Sequence, residues 1–190
     1  MSAALGMVRR REYLSAGIAP ETLARLMRKQ RLIRIGRGLY QQAVAKPSAE
    51  HCLAGAAKLI PRGIVCLVSA LQFHRLTRDV SEAIWIAIPN PGRQPNSGYP
   101  PIRAVFFGPA AYAIGVETHT VERVPVRIYG VAKTIVDCFR YRNKIGLDTA
   151  LAALKAALAE RRCSVHEVMA LAEKFRVQRV MRPYLEAMTL

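Results

Sequence analysis

Between Arg9 and Tyr40 the spacing of apolar positions changes period. Residues 9–16 suit a short helix, with Val8 and Tyr13 placed as a hydrophobic staple across its start and Gly17 as its stop. Arg9 is a poor capping residue for it. A second helix is predicted from Pro20, in the first-turn position proline favours, to about Lys29 or Gln30. Ile18 and Leu23 are again at staple spacing. On its wheel Leu23, Leu26 and Met27 form one stripe, while Glu21, Thr22, Arg25, Arg28 and Lys29 fall opposite. Leu32-Ile-Arg-Ile35 then alternates as a short strand, Gly36-Arg37-Gly38 makes a tight turn, and Leu39-Tyr40 begins a return strand.

Helix, turn, helix and hairpin in this order predict a winged helix-turn-helix. Such a unit normally has a helix before this pair, and few residues precede Val8. Either that helix is shortened or a later segment covers the exposed apolar face.

Ala43 to Pro47 is a short polar connection, so the expected division is a DNA-binding unit over 1–44 and a second domain over 46–190. Ser48 caps a helix that Pro61 ends. The run from Ile64 to Leu71 reads as strand or helix, with a helix favoured over about Ser69 to His74. Strands are expected at 83–88 and 102–107, separated by a Pro-rich loop over 89–101, and at 116–121 and 126–129, joined by a turn at Glu122-Arg123. Helices follow at 131–142 and at 148–160, with Leu147, Leu151, Leu154 and Leu158 on one stripe. Ser164 and Glu167 form a capping box for a third, and a fourth runs over 180–188. The expected fold class is α+β: an N-terminal winged helix-turn-helix, then a mixed α/β domain ending in a helical bundle. No run of eighteen apolar residues exists, and the N-terminus lacks the basic start of a signal peptide, so a cytoplasmic protein is expected.

Charge narrows the function. The 190 residues hold 29 Lys and Arg against 13 Asp and Glu, a formal charge of +16. Residues 1–45 carry nine of those cations and two acids, the densest excess in the chain. Like charge at this density repels itself unless a polyanion relieves it, which points to nucleic acid. Thr22, Arg25, Arg28 and Lys29 are the candidates for a DNA major groove, where Arg pairs with guanine edges and Lys or Thr reaches phosphate. Arg34 and Arg37 would hold the wing on the backbone, and Arg9, Arg10 and Arg11 would contact phosphates at the start of the first helix. Arg140, Arg142, Lys144, Arg161 and Arg162 give a second basic surface, to extend the DNA footprint or to meet an acidic partner.

The parts of several enzymes are missing. No acidic residue is followed by Lys at the spacing of a restriction-type nuclease, and there is no Asp-x-Asp, G-x-x-x-x-G-K, H-E-x-x-H or G-x-S-x-G. Cys52, Cys66, Cys138 and Cys163 form no C-x-x-C pair, so neither a metal nor a cofactor is expected, and the thiols read as buried apolar residues. His74 and His119 read as hydrogen-bonded structural residues. Lys133 and Asp137, four apart, read as an ordinary helix ion pair.

Several segments resemble one family. Arg9-Arg-Arg-Glu-Tyr-Leu-Ser-Ala-Gly-Ile18, the helix to Lys29, and Leu32-Ile-Arg-Ile-Gly-Arg-Gly-Leu-Tyr40 are similar to the N-terminal winged helix of AbiE-type (AbiEi) antitoxins. Gly63 to Leu71 with His74, Ile84-Trp-Ile-Ala-Ile-Pro89, Val131-Ala-Lys-Thr-Ile-Val-Asp-Cys-Phe139, Tyr141 to Asp148 and Met181-Arg-Pro-Tyr-Leu185 resemble segments of the family's second domain. The resemblance implies the antitoxin of a type IV toxin–antitoxin pair: a repressor of its own promoter that binds inverted repeats in double-stranded DNA. It also implies a C-terminal domain linked to neutralising a nucleotidyltransferase-like toxin. The family includes regulators with no known toxin beside them. Ala19, where a polar cap is expected, departs from the pattern.

Overall fold

The computed structural model describes residues 7–36, 38–43, 48–79, 81–95 and 99–189. Over these it is a mixed α+β protein with ten helices and two sheets. β1 (Val8–Arg9) leads directly into α1 (Arg10–Ser15). The weak cap at Arg9 is compensated by Glu12, whose carboxylate accepts the Arg9 backbone N–H at 2.6 Å. Gly17, with φ at +77°, provides the left-handed residue that ends the helix. α2 (Pro20–Arg28) closes in a Schellman turn, with the N–H groups of Gln30 and Arg31 donating to the carbonyls of Met27 and Leu26.

β2 (Leu32–Gly36) and β3 (Leu39–Gln42) form the expected hairpin, and β1 adds on the far side of β3. The predicted alternation of Leu32 to Ile35 does not hold. A bulge between Arg34 and Gly36 leaves Ile35 without a partner on β3. Leu32 and Ile35 are therefore buried, while Ile33 and Arg34 face solvent.

α3 (Ala49–Leu59) starts at Ser48, whose hydroxyl accepts the His51 N–H at 3.0 Å. The ambiguous 64–71 run splits at Cys66 into β4 (Ile64–Val65) and α4 (Leu67–Phe73). Then come β5 (Ile84–Pro89), β6 (Ile102–Phe107), α5 (Pro109–Ala113), β7 (Val116–Val121) and β8 (Val124–Tyr129). The sheet order is β6-β5-β4-β8-β7. β4 is antiparallel to β5 and parallel to β8. The helix expected over 131–142 breaks at Tyr141 into α6 (Val131–Arg140) and α7 (Arg142–Ile145). α8 (Leu147–Ala159), α9 (Val165–Lys174) and α10 (Gln178–Thr189) complete the chain, α9 with its expected Ser164–Glu167 capping box.

The pleat of the five-stranded sheet feeds two cores. On one face Trp85, Ala87, Phe107 and Tyr129 pack with Leu71 of α4, Phe139 of α6, Leu154 of α8, Val168 of α9 and Met181 of α10. On the other, Ile86, Ile88, Val126 and Ile128 pack with Leu53, Ala54 and Ala56 of α3, and with Met7, Ile35 and Leu39 from the N-terminal sheet. α3 is thus a later segment that covers the apolar face of the first sheet. Polar ties reinforce the contact. The Arg9 guanidinium donates to the Lys58 carbonyl, and the Lys58 ammonium donates to the Met7 carbonyl. His51 bridges Gln41 Oε1 at 3.0 Å and Glu122 Oε2 at 2.8 Å.

Lys133 and Asp137 are not an ordinary surface pair. Their side chains are 1 % and 0 % exposed. Asp137 accepts from Lys133 through one oxygen and from Arg140 Nη1 at 2.9 Å through the other. The Lys133 ammonium lies 4.3 Å from the ring centre of Tyr129, 4.9 Å from Phe107 and 4.8 Å from Phe175. The rings supply negative π faces, and the carboxylate supplies the countercharge. Burial pulls the Lys133 pKa below its ordinary value and pushes that of Asp137 above it.

Candidate nucleic-acid interface

Eight of the nine N-terminal positions assigned to DNA are described. Arg37, at the hairpin turn, lies outside the described residues, as do the first six residues and the connection over 44–47. On α2, Leu23 is buried, Leu26 and Met27 are half-buried, and Arg25, Arg28 and Lys29 are exposed. Thr22 is half-buried. The apolar stripe packs toward β2, where Leu32 is also buried, so the cationic side faces solvent. Among the described residues, no hydrogen bond or ion pair engages the side chains of Arg25, Arg28 or Lys29. Arg25 and Arg28 also sit in the last turn of α2, where the helix dipole favours positive charge.

A second group gathers at the hairpin turn. The Arg10 backbone N–H donates to the Gly38 carbonyl at 2.8 Å, which sets the start of α1 against that turn. Arg10 and Arg11 are exposed there. Arg34 is exposed on β2 and folds its Nε back onto the Gly36 carbonyl at 3.2 Å. Arg9 is separate from both groups. Its guanidinium is turned onto α3, so it adds to the field of the N-terminal unit and ties that unit to the scaffold.

Arg31, one of the nine N-terminal cations, stands outside both predicted groups. It is exposed just beyond Lys29, where the Schellman turn hands α2 over to β2. The signal was its place between the two predicted elements, and a wheel drawn for α2 alone leaves it out.

The five C-terminal cations divide between the α6–α7 break and the α8–α9 connection. Arg140 is only 25 % exposed and is bound to Asp137. Arg142 donates to the Phe139 carbonyl at 2.9 Å, and the exposed Lys144 lies 5.6 Å from the Tyr141 ring centre. Arg161 and Arg162 are exposed between α8 and α9, and Arg162 reaches the His74 carbonyl at 3.4 Å.

Cys66 and Cys138 are fully buried, and burial pushes both thiols well above their ordinary pKa. The four cysteines are free thiols. Among the described residues no three His, Cys, Asp or Glu side chains are grouped to hold a metal ion, and no helix is long and apolar enough to cross a membrane.

Residues 3–41 match the family described as a transcriptional regulator, AbiEi antitoxin. No curated protein matches the chain. The matched segment is the one that holds α1, α2 and the β2–β3 hairpin, so the resemblance read from Arg9 to Tyr40 has independent support. It supports a regulator or antitoxin role for the protein.

Proposed function

We propose that the protein is a sequence-specific DNA-binding repressor that acts as the antitoxin of a type IV toxin–antitoxin pair and represses its own operon through inverted repeats. In this reading residues 1–44 are a winged helix-turn-helix. α2 enters the major groove with Thr22, Arg25, Arg28 and Lys29. Arg34 and Arg37 hold the wing on the backbone, and Arg10 and Arg11 contact phosphates beside it. Residues 46–190 are the antitoxin-type domain.

One observation carries the reading: the cationic side of α2 is solvent-facing and, among the described residues, unengaged within a segment that matches a regulator family. The test is titration of fluorescent duplexes from upstream of the protein's own reading frame. Arg25→Ala is expected to cost about 1–3 kcal/mol on the preferred duplex and to relax its sequence preference. Arg10→Ala is expected to weaken all duplexes alike. Equal binding of every duplex by wild type and Arg25→Ala would contradict the groove assignment.

A second reading makes 46–190 a protein-interaction module that neutralises the toxin by contact, with DNA binding secondary. The basic groove at the C-terminal end of α8 favours it.

A further inference from the structure

The last turn of α8, the 161–164 connection, the first turn of α9 and the last turn of α10 enclose an open groove of about 1100 Å³. Leu158, Val165 and Met188 supply apolar walls, and Met188 is 36 % exposed. Lys155, Arg161 and Arg162 supply positive charge. Among the described residues one carboxylate, Glu167, lines the groove, and it is committed to capping α9; Glu160, just outside the lining, lies 3.7 Å from Arg162 Nη1. Glu167 accepts from the Ser164 N–H at 2.7 Å and from the Ser164 hydroxyl at 2.9 Å. Those bonds hold its pKa below the ordinary value.

The shape and chemistry narrow the occupant. The groove is open to solvent along its length rather than enclosed, which suits a chain segment better than a small molecule that must be buried on most of its surface. Leu158, Val165 and Met188 offer a phosphate backbone no hydrogen-bond donors, so nucleic acid would leave that part of the groove unused. A second copy of this chain is a poor match, because it brings a charge of +16 and no two adjacent acidic residues.

We propose that this groove docks an acidic amphipathic segment of a partner protein. Carboxylates of the segment meet Lys155 and Arg161, and its apolar side chains lie between Leu158, Val165 and Met188. The proposal rests on the reading in which residues 46–190 contact a protein, and it is independent of DNA binding by α2.

The test uses the full-length protein and a fluorescein-labelled synthetic helix of about four turns, roughly 14 residues, with Glu on one face and Leu on the other. A Gln-for-Glu peptide and a Ser-for-Leu peptide are the controls. Wild type is expected to bind the Glu/Leu peptide and to bind both controls more weakly. The Lys155→Glu/Arg161→Glu variant, checked for unchanged circular dichroism, is expected to lose at least about tenfold in affinity, or 1.4 kcal/mol. Duplex binding by that variant is read in parallel, so a failure of the DNA reading stays distinguishable. Absence of peptide binding, equal binding of the Gln peptide, or equal binding by the variant would overturn the proposal. Displacement of the peptide by duplex would assign the groove to DNA, and self-association abolished by Met188→Glu would assign it to a second copy; either also overturns it.

Discussion

The Lys133 ammonium donates to the Asp137 carboxylate one turn further along α6, in a site closed to water. Arg140 uses the other carboxylate oxygen, so one buried anion serves two cations. The cations and Asp137 are therefore not interchangeable. Asp137→Asn leaves both positive charges without a counterion and is expected to cost about 3–5 kcal/mol in urea unfolding. Lys133→Met removes one cation, keeps the Asp137–Arg140 pair, and is expected to cost less. Equal losses in the two variants would contradict the asymmetry.

His74 Nε2 donates to the Tyr129 carbonyl at 2.7 Å inside the fold. Burial lowers its pKa from 6.5, against the opposing pull of the Tyr129 carbonyl and Glu117, while His119 and Arg162 add to the lowering. The unfolded chain then binds more protons than the folded one between the two pKa values. The stability tied to neutral His74 is complete above about pH 6.5 and is lost as pH falls toward the lower, folded-state pKa. Urea midpoints at pH 7.5 and 5.5 are expected to differ more in wild type than in His74→Gln, which keeps a donor for Tyr129. An identical pH dependence would count against this linkage.

Leu39 is 1 % exposed and belongs to the core shared by the N-terminal sheet, α3 and the five-stranded sheet. Leu39→Ala is expected to cost about 2–5 kcal/mol. Because the five-stranded sheet contributes to both this core and the one that holds Trp85 on its opposite face, the loss is expected in the unfolding curve followed by Trp85 fluorescence. A Trp85 transition unchanged by the substitution would mean that residues 7–43 unfold separately.

Much of this arrangement is legible in the sequence because short-range chemistry dictates it. Pro20, Gly17 and the Leu23–Leu26–Met27 stripe place α2 and choose its solvent face. Ser48 and the Ser164–Glu167 pair mark helix starts by their own hydrogen bonds. What escapes depends on contacts distant in the chain. Ile35 turns inward through a bulge and packs in the core that α3 completes. The tie from the Arg9 guanidinium to the Lys58 carbonyl joins residues 49 apart in the chain, so no local pattern announces it. Lys133 looks exposable until Phe107 and Phe175, remote in sequence, are seen around it. α5 spans five residues, too few for a period to register.

The most direct test of the central claim is the salt dependence of duplex binding by the full-length protein and by Arg25→Ala/Arg28→Ala. If about six phosphates are neutralised, the logarithm of the wild-type binding constant is expected to fall against log salt with a slope of about −5. The double variant is expected to bind more weakly, with a shallower slope. A wild-type protein that ignores duplex DNA at low ionic strength, or a double variant with the same affinity and slope, would contradict the account.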